Sequence, residues 1–212
     1  MKRQARILRS GWLLYAALCL PLVVVFIQAG QGNVEYLADP AKFLLEFMGK
    51  AAVVFLVVTM AVTPLRQLFP KSDLFKALAF RRRQLGIAVF VYALLHLLLY
   101  VPYIGSWEAF ADEWSKLFIL SGLVALALLL VLALTSNNWS VRKLGGKGWK
   151  RLHKLTYVAA ALVIYHQVAQ EKTGYRETLV YFGPLLALEA VRLGRWWKNR
   201  IPSVQSPSRE TG

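Results

Sequence analysis

Six stretches of about 20 apolar residues, joined by short polar or basic segments, constrain this chain more than any other feature. A hydrocarbon layer about 30 Å thick is crossed by about 20 apolar residues in a helix, because backbone N–H and C=O groups must find their partners within the segment. The stretches run Gly11 to Ala29, Phe43 to Leu65, Gln84 to Ile104, Ser115 to Thr135, His153 to Gln170 and Thr178 to Trp197. They predict an all-α membrane protein, a six-helix transmembrane bundle over residues 11–197, with a basic N-terminus over 1–10 and a polar, disordered tail over 198–212. Hydrophobic residues make up 57% of the chain and the mean hydropathy is +0.46, as in an integral membrane protein, and the stretches follow one another with short connections, so nothing is left over for a second folded unit. Lys2, Arg3, Arg6 and Arg9 ahead of the first stretch resemble the start of a signal peptide, but the apolar run is longer than such a peptide needs, and a retained helix is expected.

The net charge of +15 would indicate nucleic acid in a soluble protein. Here the cations lie between membrane stretches, without zinc-finger spacing or a phosphate loop, so nucleic-acid binding is not expected. With both termini cytoplasmic, 21 of the 26 Lys and Arg residues fall on the inner side and eight of the eleven acids on the outer side. The opposite orientation would reverse the positive-inside bias. Trp12, Trp107, Trp114, Trp149, Trp196 and Trp197 fall at stretch ends, where interfacial aromatic belts form. The single cysteine, Cys19, excludes disulfides, iron–sulfur clusters and thiolate zinc sites within one chain. Redox chemistry would therefore need another cofactor.

Two histidines sit deep within separate apolar stretches. His96 lies about 20 Å along an ideal helix from Arg83, and His166 lies about 18 Å from Lys154, so the two reach similar depth in the outer half of the membrane. A buried imidazole needs a hydrogen bond or a metal to satisfy its ring nitrogens. Two imidazoles at one depth on parallel helices point to the axial positions of a haem iron. Interhelical hydrogen bonding or a proton path is the plainer alternative. His153 belongs elsewhere: it opens the fifth stretch among Lys150, Arg151 and Lys154 and is turned about 140° from His166 on a straight helix. A second haem there would need another ligand, for which Met60 is a thioether candidate, while contact with a propionate, a flavin, lipid headgroups or water are the other readings.

Glu46 and Lys50 are spaced for a local ion pair, as are Glu189 and Arg192, although Glu189 is deep enough to serve a proton or a quinol. Leu144-Gly145-Gly146-Lys147-Gly148-Trp149 lacks the strand and the Lys-Ser/Thr ending of a phosphate cradle, so a flexible inner loop is expected from Ser136 to Lys150.

Arg82-Arg83-Gln84-Leu85-Gly86 with Tyr92 and His96, then Trp149-Lys150-Arg151-Leu152-His153-Lys154-Leu155 with Tyr157, then His166, resembles the ferric-reductase-like transmembrane family. Within it the chain is similar to haem-binding membrane subunits that serve a periplasmic methionine sulfoxide reductase. The resemblance implies a b-type cytochrome of the bacterial inner membrane with His96, His153 and His166 as haem ligands, one haem b and room for a second. It implies electrons from quinol or a cytosolic flavin reductase, an association with FMN, and a periplasmic molybdopterin-containing partner that reduces methionine sulfoxide in proteins. Ferric reductases of the family carry paired histidines on each of two helices and a fused flavin and nicotinamide module. This chain has three histidines in 212 residues, so it is expected to transfer electrons without being the catalytic subunit. The alternatives are a quinol-linked carrier for another acceptor such as ferric iron, or a small proton channel or transporter, the latter without the internal repeat many transporters show.

Overall fold

The computed structural model describes residues 11–170 and 174–198. The expected basic N-terminus over 1–10 and the tail from 199 onward lie outside the described residues. Among those described, every regular element is a helix. In chain order they are α1 (Gly11–Gly30), α2 (Val34–Ala38), α3 (Pro40–Leu68), α4 (Asp73–Phe80), α5 (Arg82–Ile104), α6 (Trp107–Glu113), α7 (Leu117–Leu134), α8 (Asn138–Leu152), α9 (Leu155–Gln170) and α10 (Gly174–Lys198).

The six long apolar stretches coincide with α1, α3, α5, α7, α9 and α10. Three of these, α3, α5 and α7, are long and apolar enough to cross a membrane, and α1 adds a shorter apolar run over Leu14–Gly30. Local chemistry fixes their ends. Asp39 caps α3 by accepting from the Lys42 N–H at 3.0 Å, and Pro40 occupies the first turn, where its missing N–H costs nothing. α5 stops at Gly105, whose φ of 103° is open to glycine, and Ser106 then caps α6 by accepting from the Ala109 N–H at 3.2 Å.

The segment expected as a loop from Ser136 to Lys150 is mostly helical. Asn137 caps α8 through the Ser140 N–H at 2.8 Å, and the glycine run expresses itself as one break, at Gly145 with φ 69° and ψ 155°, inside the helical span. Glycine lowers helix propensity but does not forbid a helix whose cap and packing favour it.

α3 packs chiefly on α5 and α7 on α9; α5 joins α7, and α10 closes the ring by touching both α9 and α3. α1 lies outside the ring against α3, tied to α5 by the Tyr92 hydroxyl donating to the Leu18 carbonyl at 2.6 Å. The shared core draws Val53, Leu56 and Met60 from α3, Val89 from α5, Leu129 from α7 and Phe182 from α10. Large apolar side chains such as Leu98, Leu117 and Leu134 point outward and are exposed, the arrangement of helices whose outer faces meet lipid.

Candidate functional site

The five-helix ring forms a partly open cavity of about 390 Å³, lined by apolar residues including Leu56, Val89, Leu129 and Val163 and by both His96 and His166. The two imidazole rings face each other with centroids 6.3 Å apart and planes at 87°. Each ring is held by a main-chain carbonyl near the start of the preceding long helix. His96 Nδ1 lies 2.8 Å from the Leu45 carbonyl of α3, and His166 Nδ1 lies 2.6 Å from the Phe118 carbonyl of α7. A carbonyl only accepts, so each Nδ1 carries the proton and each Nε2 keeps its lone pair. Each ring thus keeps one nitrogen, Nε2, that could serve as a metal ligand.

Polar residues rim the same cavity: Lys42, Glu46, Lys50, Gln167, Gln170 and Glu177. The Glu46–Lys50 pair expected from spacing is present at 4.0 Å, but Lys50 lies closer, at 3.3 Å, to Glu177 of α10. Lys42 reaches Glu46 at 3.9 Å. These contacts tie α3 to α10 at the end of the bundle where α3 and α7 begin. The Gln167 side-chain oxygen is buried with no partner beside His166, a polar demand the protein alone leaves unmet.

His153 lies at the other end of the bundle, after α8. Its ring stacks on Trp149 with centroids 3.9 Å apart, and its Nε2 lies 3.3 Å from the Thr135 hydroxyl. The Trp149 indole N–H donates to the Thr135 carbonyl at 2.9 Å, which fixes the stack against the end of α7. The Arg83 guanidinium lies over the Trp149 ring, 5.3 Å from its centroid, and donates to Asn138 at 2.6 Å, while Arg82 donates to Thr63 at 2.9 Å. Met60 is buried in the apolar core. Glu189 pairs with Arg192 at 2.9 Å as spacing predicts, and Arg192 also donates to the Tyr157 hydroxyl at 3.2 Å. One Glu189 oxygen is buried without a partner. Among the described residues no group of three or more His, Cys, Asp or Glu side chains is placed to hold a metal ion.

Spacing placed the three histidines at two ends of a bundle, and the structure brings only His96 and His166 together. The roles of Leu45 and Phe118 were invisible in side-chain patterns because they act through carbonyls.

Residues 48–164, more than half of the chain, match the profile of the ferric reductase like transmembrane component. This chain belongs to the ferric reductase like transmembrane family. Ferric reductase like membership, together with α3, α5 and α7, makes it a multi-pass membrane protein. Within that family it is 40% identical over 197 residues to the protein-methionine-sulfoxide reductase heme-binding subunit MsrQ of Brucella anthropi, covering 90% of this chain and 85% of the relative. The subunit of the same name from Brucella ovis is 37% identical over 198 residues, covering 92% of this chain and 86% of the relative. No solved structure matches this chain.

Proposed function

We propose that this protein is a b-type cytochrome of the bacterial inner membrane that passes electrons to a periplasmic molybdopterin-containing subunit reducing methionine sulfoxide in proteins. The observation that carries the reading is the facing His96–His166 pair, in a chain whose relatives are named heme-binding subunits of a protein-methionine-sulfoxide reductase.

The residues fit a haem. The two imidazole centroids, 6.3 Å apart, leave room for one metal ion that both rings would hold through nitrogen bonds of about 2 Å each. With two imidazoles and no cluster of three or more His, Cys, Asp or Glu among the described residues, the pocket would suit an iron that brings its remaining ligands with it. Its volume is in the range of small-molecule and cofactor pockets, and its walls are apolar. Lys42 and Lys50 at the rim, paired here with Glu46 and Glu177, would turn to the porphyrin carboxylates, and Gln167 would supply a polar contact.

A bound haem supplies a one-electron couple. The chain's own part would be to hold the iron through His96 and His166, surround it with apolar side chains, and set the depth at which electrons pass through the membrane. The donor in this reading is quinol or a cytosolic flavin reductase. The cations Arg82 and Arg83 beside His153 would meet an anionic flavin phosphate such as that of FMN, a second haem's propionates or acidic lipid headgroups.

The test is an absorption spectrum of the purified protein. A reducible low-spin b-type spectrum is expected, lost in His96→Ala and in His166→Ala. Haem retained with an unaltered spectrum in both variants overturns the assignment, and a folded wild type without haem returns the channel reading.

A further inference from the structure

Each histidine of the pair meets a glycine as well as a carbonyl. A Cβ at Gly49 would lie 2.9 Å from His96 Nδ1 and 3.0 Å from Cε1, and a Cβ at Gly122 would lie 2.8 Å from His166 Nδ1 and 3.0 Å from Cε1. The register is the same on both sides: Gly49 is four residues after Leu45, and Gly122 is four residues after Phe118. Residues four apart share a helix face, and the Cα–Cβ bond tilts toward the helix N-terminus. Any side chain at these two positions would therefore point back toward the accepting carbonyl, into the space the imidazole fills. Other helical glycines, such as Gly86, Gly183 and Gly194, have open space where a Cβ would go. Among the described residues, so close an approach is thus particular to the two glycines opposite the histidines.

We propose that Gly49 and Gly122 are a matched pair of positioning residues, each seating a histidine ring against the carbonyl one turn earlier so that Nδ1 donates and Nε2 is presented to the metal. The inference rests on the haem reading above and adds residues that bind nothing themselves. A hydrogen bond from Nδ1 makes the imidazole a more electron-rich ligand, which favours the oxidised iron. A methyl group at position 49 or 122 must push the ring off its carbonyl, weakening that bond and the alignment of Nε2. The midpoint potential should then rise and the low-spin signature should weaken.

The experiment compares wild type, Gly49→Ala, Gly122→Ala and the control Gly183→Ala by absorption spectroscopy, low-temperature electron paramagnetic resonance and redox titration. Both alanine variants at the histidine contacts should shift the potential upward and alter the ferric low-spin signal, with Gly183→Ala matching wild type. Where an alanine variant fails to fold or to hold haem, His96→Gly supplied with imidazole or with 1-methylimidazole gives the answer. Imidazole has an N–H for the Leu45 carbonyl and the methylated ring has none, so a higher potential with 1-methylimidazole is expected. Equal potentials with the two ligands, or alanine variants indistinguishable from wild type, overturn the positioning role. A wild-type protein without haem absorption overturns the haem reading itself, so the two failures are told apart.

Discussion

At the residue scale, the three histidines differ in what already occupies their nitrogens. His96 and His166 spend Nδ1 on carbonyls and leave Nε2 in the shared cavity without a hydrogen-bond partner among the described residues, whereas His153 spends Nε2 on Thr135 and its ring face on Trp149. His153→Ala is therefore expected to leave the bis-imidazole spectrum of the other pair intact, as read by reduced-minus-oxidised difference spectra. A fall in the haem-to-protein ratio by half in that variant would assign a second haem to His153. The two-ended arrangement was legible in the sequence because helical rise converts residue number into depth. The glycines were not, since glycine in an apolar stretch has no signature until the neighbouring helix is placed. One clue was available: Gly49 and Gly122 lie six and seven residues past the expected starts of their stretches, at the depth assigned to the histidines.

Among the elements, the corner joining α5, α6 and α7 depends on one carboxylate. Glu113, at the end of α6, accepts from Lys116 at 2.6 Å and from the Tyr100 hydroxyl of α5 at 2.7 Å. The Lys116 hydrogen bond first, then that of Tyr100, holds the Glu113 carboxyl below the usual carboxylate range. Unfolding returns the group to its ordinary value of about 4.3, so its contribution to stability is full above that pH and is lost as pH falls through the lowered folded value. Thermal unfolding in detergent should show a lower melting temperature at pH 3 than at pH 6, and Glu113→Gln should reduce that difference. An undiminished difference in the variant would assign the acid sensitivity to other carboxylates. The corner itself was readable as a break between two apolar stretches. α8 was not, because its Gly145-Gly146 pair carries the composition of a loop while its stability comes from the Asn137 cap and the Trp149 contact with α7.

For the whole molecule, one packing unit is used twice: a long helix offers a carbonyl near its start, and the next long helix brings a histidine to it, first α3 with α5 and then α7 with α9. Both units put their histidine at the end where α3 and α7 begin, so the sidedness of the bundle decides which compartment lies nearer the pair. The bias of Lys and Arg predicts that this end faces outward, toward the proposed periplasmic acceptor. α9 has only 16 residues, about 24 Å of helix, and α10 carries charges at both ends, so six crossings need a direct test. Single cysteines at Ser72, Asp112 and Ser208, each in a Cys19→Ser background, can be probed with a membrane-impermeant maleimide on intact spheroplasts. Asp112→Cys should react at once, and Ser72→Cys and Ser208→Cys only after the membrane is permeabilised. Labelling of Ser208→Cys in intact spheroplasts, with Ser72→Cys still protected, would give an odd number of crossings after α4. Exchange of the Ser72→Cys and Asp112→Cys results would turn the histidine pair toward the cytoplasm, where a periplasmic acceptor could no longer draw electrons from its nearer side.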